Sequence, residues 1–106
     1  MSVSDADIAF ARDLFSPLGR ITHRKMMGGA TLYADGALFG LVDGDGAIYL
    51  RARGALAEFL ADEGAAQFTY ERNSETISMG YWSLPESALD DPEQAAMLAR
   101  RAVTEG

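Results

Sequence analysis

Few residues in this chain combine a type and a spacing suited to chemistry. His23 is the only histidine, and so the only side chain that ordinarily titrates near neutrality. A hydrolytic triad would need a nucleophile raised on a sharp strand-to-helix turn, and no Gly-x-Ser-x-Gly segment supplies one. A surface or strand-end histidine is the simpler reading. Asp43-Gly44-Asp45-Gly46 has the acidic spacing that opens a calcium loop. Such a loop needs glycine at its sixth position and a bidentate glutamate at its twelfth. Counted from Asp43 those positions hold Ile48 and Gly54, so a hairpin turn is expected instead. Asp62-Glu63 and Asp90-Asp91 pair carboxylates as acid–base chemistry would. They fall at one helix end and one helix start, where solvation and capping account for them. Gly28-Gly29 belongs to no phosphate-binding pattern leading from strand into helix, and reads as a bend. Cysteine is absent, which excludes disulfides and thiolate zinc sites. No catalytic, cofactor or metal site is expected, and the chain is read as not an enzyme.

One cluster remains. Arg24, Lys25, Arg51 and Arg53 are four of nine cationic residues set against sixteen acidic ones, for a formal net charge of −7. Arg24 and Lys25 fall on the first expected strand or just before its bend. Arg51 and Arg53 share a strand face if their strand runs that far. These four are either paired with the many acidic neighbours or form an interaction patch for an acidic partner. The net charge repels phosphate backbones and anionic lipids at long range, which weighs against direct nucleic-acid binding by this domain alone.

The elements that position these residues follow from the pattern. A helix is expected over residues 4–16, with Ser4 as N-cap, Asp5 and Asp7 in the first turn, and Ile8, Ala11, Phe15 and Leu18 on one buried face that Phe10 and Leu14 widen. Pro17 and Gly19 end it. A meander follows: Ile21 to Met27, Ala30 to Ala34, Ala37 to Val42 and Ala47 to Ala52, joined by Gly28-Gly29, Asp35-Gly36 and Asp43 to Gly46. Asp-Gly tolerates positive φ at both positions and is a strong two-residue hairpin signal. In the last of these strands Ile48 and Leu50 share one face, Tyr49 and Arg51 the other. A short helix over residues 54–63 carries Leu56, Phe59 and Leu60, with Gly64 as its C′ residue. A second hairpin, Gln67 to Glu71 and Glu75 to Trp82, turns at Arg72-Asn73-Ser74, and Ile77, Met79 and Tyr81 share a face of its second strand. Gly80 marks a bulge. Asp91, Pro92 and Gln94 open a final helix with N-cap, N1 proline and capping-box spacing, and Ala95, Leu98, Ala99, Ala102 and Val103 form its apolar row.

Helices placed around an antiparallel sheet make an α+β domain, in the order α, three or four strands, α, two strands, α. Scaling by the 11.4 kDa mass, folding hides roughly 65% of the surface, enough for one core over residues 1–106 without staples. The aromatic and methionine set (Met26, Met27, Phe39, Tyr49, Phe68, Tyr70, Tyr81, Trp82) is most simply core and sheet packing. If helices cover one sheet face, aromatics on the other need a partner. A polar, acidic start and the lack of a long apolar run point to the cytoplasm, with no membrane association. Eight arginines against one lysine, with abundant Ala and Gly, read as GC-rich bacterial coding.

Several segments together resemble the N-terminal domain of the TfoX competence regulators. Arg24-Lys25-Met26-Met27-Gly28-Gly29 is similar to that family's Arg-Arg-Met-Phe-Gly-Gly segment, with Met27 in place of the usual aromatic. Leu32-Tyr33-Ala34-Asp35-Gly36, Phe39 and Ile48-Tyr49-Leu50 resemble the strands that follow. Phe68-Thr69-Tyr70-Glu71-Arg72, Met79-x-Tyr81, Leu84-Pro85-Glu86 and Ala99-Arg100-Arg101-Ala102 resemble its second half, although Asn73-Ser74-Glu75 replaces a more basic turn. The resemblance implies an α-β(3)-α-β(2)-α domain related in architecture to type III secretion chaperones. It also implies a regulatory role with a protein partner, transcription machinery first among the candidates. Longer members carry a second, helical domain and are thought to work with the cyclic-AMP receptor protein; the 106 residues are expected to hold the first domain alone. The leading expectation is therefore a protein-interaction module. The alternatives are a homodimer formed through a bare sheet face or unpaired strand, with or without a small ligand, and, third, a nucleic-acid binder.

Overall fold

The first helix starts where the Ser4 hydroxyl accepts a hydrogen bond from the Asp7 N–H at 3.0 Å. Asp5 and Asp7 then lie at the positive end of the helix dipole. Helix α1 runs Asp5–Leu14 and is followed by a 3-10 turn, Ser16–Leu18, which contains Pro17. Ile8, Ala11, Leu14 and Phe15 are buried. Phe10, expected on the same stripe, is 51% exposed. It precedes Ala11 by one residue and so sits about 100° away around the helix, on the solvent side.

The computed structural model describes residues 2–26 and 28–105, without the side chains of residues 70–72 and 76–79. The end of the first strand expected at Met27, and the shared face of Ile77 and Met79, thus lie outside the described residues. Strands β1 (Ile21–Met26), β2 (Gly29–Ala34), β3 (Ala37–Val42) and β4 (Ile48–Arg51) form the meander. Asp35 and Gly36 have φ of 49° and 87°, the two positive values that a tight hairpin matching the sheet twist requires. At the next turn the Asp43 carboxylate accepts from the N–H groups of Asp45 and Ala47, each at 2.9 Å. The acidic loop satisfies its own backbone, as a hairpin turn does.

Helix α2 (Ala55–Asp62) leads to β5 (Gln67–Arg72) and β6 (Glu75–Ser83). Leu56 and Leu60 are fully buried, whereas Phe59 lies at the rim with the Arg101 guanidinium 5.8 Å from its ring centroid. A short helix α3 (Glu86–Leu89), which periodicity does not reveal, precedes α4 (Pro92–Glu105). The six strands are antiparallel in the order β1-β2-β3-β4-β6-β5, so the second hairpin joins β4 through its later strand and β5 becomes an edge. The register shifts between Gln67 and Thr69, opposite the stretch that contains Gly80, at φ 73°. The expected bulge is there.

The helices do not flank both sides of the sheet. The described helices pack against one face: α1 on β1 and β3, α2 on β6, α4 on β3 and β4. Ile21, Ala30, Leu32, Ala34, Phe39, Val42, Ile48 and Leu50 meet Leu14, Phe15, Leu56, Leu60, Leu98 and Ala99 in one core. Phe15 and Phe39 meet edge to face with centroids 4.9 Å apart. The alanine row lets α4 lie near the strands. Gly40 on β3 has no room for a side chain, since a Cβ would run into the Tyr49 carbonyl. Among the described residues no helix is long and apolar enough to cross a membrane.

Candidate functional site: the open face of the sheet

Alternation along the strands sends every second side chain away from the helices. In β2 that splits buried Ala30, Leu32 and Ala34 from half-buried Thr31 and Tyr33. Following the register from Thr31 gives a row of cross-strand partners on the helix-free side: Arg24, Thr31, Leu41, Tyr49 and Ser83. A second row starts from Thr22, Tyr33 and Leu38, and Arg51 stands opposite Tyr81 further along. Phe68 on β5 meets Tyr49 edge to face, with centroids 5.0 Å apart. The Thr31 hydroxyl lies 3.3 Å from the Arg24 carbonyl and 3.2 Å from the Tyr33 hydroxyl.

The middle of this face is apolar and tightly covered. Leu41 is 9% exposed and Tyr81 7%, yet neither belongs to the core beneath the helices. Burial pushes the Tyr81 hydroxyl above the ordinary tyrosine range; Arg51 opposes the shift and Tyr33 adds to it. Burial likewise raises Tyr49, helped by Asp43 and Asp45 at the adjoining turn, and its hydroxyl hydrogen-bonds to Asp43. Both hydroxyls are therefore protonated donors at neutral pH.

Over its first four strands, charge on this face is one-sided. Strands β1 to β4 contain no Asp or Glu at any position. The acidic residues of the first half of the chain sit on α1 and at the β2–β3 and β3–β4 turns. The Arg24, Lys25, Arg51 and Arg53 cluster is accordingly divided. Lys25 turns to the helix side and pairs with Asp5 at 3.0 Å, an exposed ion pair of small energetic weight. Arg24 and Arg51 are exposed on the open face, separated by β2 and β3, about 16 Å apart: three strand spacings across and two residues along. Strand β4 ends at Arg51, and the Ala52 N–H extends the pairing by one hydrogen bond, to the Gly80 carbonyl at 3.0 Å. Arg53 follows, exposed, one step past that end. Among the described residues no carboxylate pairs with Arg24, Arg51 or Arg53.

His23 pairs with Leu32 in the register and is half-buried on the helix side. Its Nδ1 is buried without a hydrogen-bond partner among the described residues. There too, no group of three or more His, Asp and Glu is placed to hold a metal ion. The aromatic set also divides. Phe39 and Trp82 go to the core side, Tyr49, Phe68 and Tyr81 to the open face, and Met26 is 48% exposed. Tyr33, Leu38 and Leu41 were not singled out from sequence, although the Ala30, Leu32, Ala34 alternation already sets Tyr33 apart.

The profile of the TfoX N-terminal domain matches residues 13–106, which takes in all six strands and hence the whole open face. The chain belongs to the TfoX N-terminal domain family. Protein Sxy of Escherichia coli (strain K12) is 28% identical over 86 residues, covering 81% of this chain and 41% of Sxy. This TfoX N-terminal domain therefore spans less than half the length of that relative.

Proposed function

We propose that this domain is a non-enzymatic regulatory module, of the kind the TfoX competence regulators carry, and that it acts in the cytoplasm by binding a protein partner on its open sheet face. One observation carries the reading. In a chain of net charge −7, the face left uncovered by helices collects Tyr33, Leu38, Leu41, Tyr49, Tyr81 and two exposed arginines, and its first four strands hold no acid. Tyrosine and arginine over an apolar centre are the composition of protein-binding hot spots. A paired sheet presents them rigidly, so little order is lost on binding. Family membership supports a transcription regulator or polymerase subunit as the partner.

The test is affinity capture with the tagged protein from nuclease-treated lysate of its source, read by mass spectrometry. Thr31→Trp blocks the centre of the open face while keeping a residue that strands favour, and Phe10→Ser alters only the helix side. Recovery of a transcription protein by the wild type and Phe10→Ser, but not by Thr31→Trp, is the expected result. Equal recovery by Thr31→Trp would remove the open face from the interaction. Recovery of the chain alone would overturn the protein-partner reading in favour of self-association.

A further inference from the structure

The geometry points to an acidic protein segment as the occupant of the open face, its carboxylates meeting Arg24 on one side and Arg51 with Arg53 on the other, and an apolar side chain between them on the half-buried Tyr33 and Leu38. This rests on the reading of the open face as the binding surface and specifies the chemistry of what binds there. Lys25 has a carboxylate partner, whereas Arg24, Arg51 and Arg53, among the described residues, have none. A guanidinium beside aromatic surface recognises a carboxylate through two parallel N–H···O bonds, and these strengthen as water is displaced. Arg24 and Arg51 lie about 16 Å apart. An extended segment of about five residues, or a helix of about eleven, spans that distance.

A second copy of the chain fits less well. In a two-fold contact the same patch meets itself. Arg24 and Arg51 of each copy would then be pressed on the partner's β1 to β4, which hold no acid to neutralise them. A nucleic acid fits less well for a different reason. The domain carries sixteen acidic residues against nine basic ones, and Asp35, Asp43 and Asp45 stand at the turns that end these strands. A polyphosphate chain that outruns the strands meets that rim, and its repeating charge feels the long-range repulsion at every step. A short segment with two or three carboxylates uses only the acid-free middle.

The test is a titration of isotope-labelled protein followed by amide NMR shifts. The probes are a synthetic amphipathic peptide of about sixteen residues with a Leu stripe flanked by Glu, its analogue with Gln at every Glu, and an oligothymidylate of about fifteen nucleotides. The Glu peptide is expected to shift amides of β2 to β4, and to do so less as salt rises. The Gln analogue, and the Glu peptide on Arg24→Glu/Arg51→Glu protein, are expected to bind at least about ten-fold more weakly, with the thermal melt of the variant unchanged. Equal binding of the Gln analogue at the sheet would overturn the acidic requirement and leave the open face standing as a binding surface. Tighter binding of the oligonucleotide at the same strands would replace the protein segment by nucleic acid. Shifts confined to the helices, or none, would remove both this inference and the reading it rests on.

Discussion

Arg24 and Lys25 are adjacent in the chain, and one step along β1 separates their roles. Lys25 meets Asp5 of α1, while Arg24 lies on the helix-free side beside Thr31. The same two-residue period decides the state of the tyrosines. Tyr49 and Tyr81 are half-sheltered by their own face, and burial is the main cause that lifts both hydroxyls above the ordinary value of 10.0. A raised folded-state value means that the folded protein keeps a proton the unfolded chain has released. The stability linked to these groups is thus fully present below the unfolded value and is lost as pH rises through the folded one. Urea midpoints are expected to hold steady on the approach to pH 10 and to fall above it, and Tyr49→Phe should soften that fall. Phenolate absorbance should show two tyrosines ionising later than a free tyrosine. If Tyr49 and Tyr81 ionise at the ordinary value, the sheltered state of the face is wrong.

At the level of elements, α4 depends on its first turn. The Gln94 N–H donates to the Asp91 carboxylate at 3.2 Å, and the Ala95 N–H to the Asp91 carbonyl at 2.9 Å. The reciprocal half of a capping box, in which Gln94 would reach back to Asp91, is replaced by a contact from Gln94 Nε2 to the Ser87 hydroxyl at 3.4 Å. The short helix α3, hidden from periodicity, supplies that acceptor. Asp91→Ala is therefore expected to cost about 1 kcal/mol, which lowers Tm by about 4–8 °C in a domain of this size. Gln94→Ala should cost clearly less, and Asp91→Asn should restore most of the loss. Differential scanning calorimetry on the three variants checks the order, and an Asp91→Ala as mild as Gln94→Ala would show that α4 does not need its cap.

For the whole molecule, one core joins all the major helices to one sheet face, so no part is independent of the rest. Unfolding is expected to be a single transition, with far- and near-ultraviolet circular dichroism coincident. Separate midpoints would mean that the β5–β6 hairpin, an edge of the sheet, melts on its own. The accessible surface of 6190 Å² slightly exceeds the roughly 5,800 Å² expected for this mass, in keeping with a sheet uncovered on one side. The distribution of charge is also a property of the whole. Net charge −7 describes the helices and turns and misdescribes the acid-free strands.

Much of this was readable from local pattern, because local pattern is set by forces acting over a few residues. Ser4 and Asp91 as caps, Asp35-Gly36 as a tight turn, the Ile48 and Leu50 face against Tyr49 and Arg51, and the bulge at Gly80 each follow from hydrogen bonding, φ preference or side-chain period within one element. Family membership was readable as well, since several such segments recur in order. Other features depend on which distant segments meet. Strand β6, not β5, pairs with β4, and all the described helices take the same side of the sheet. Those choices separate Lys25 from Arg24, send Phe39 and Trp82 inward, leave Phe10 in solvent, and set Arg24 and Arg51 three strand spacings apart on one face. The energy that makes them is burial of apolar surface between elements far apart in the chain. Such burial has no signature in any single window of sequence, so the open face emerges only with the fold.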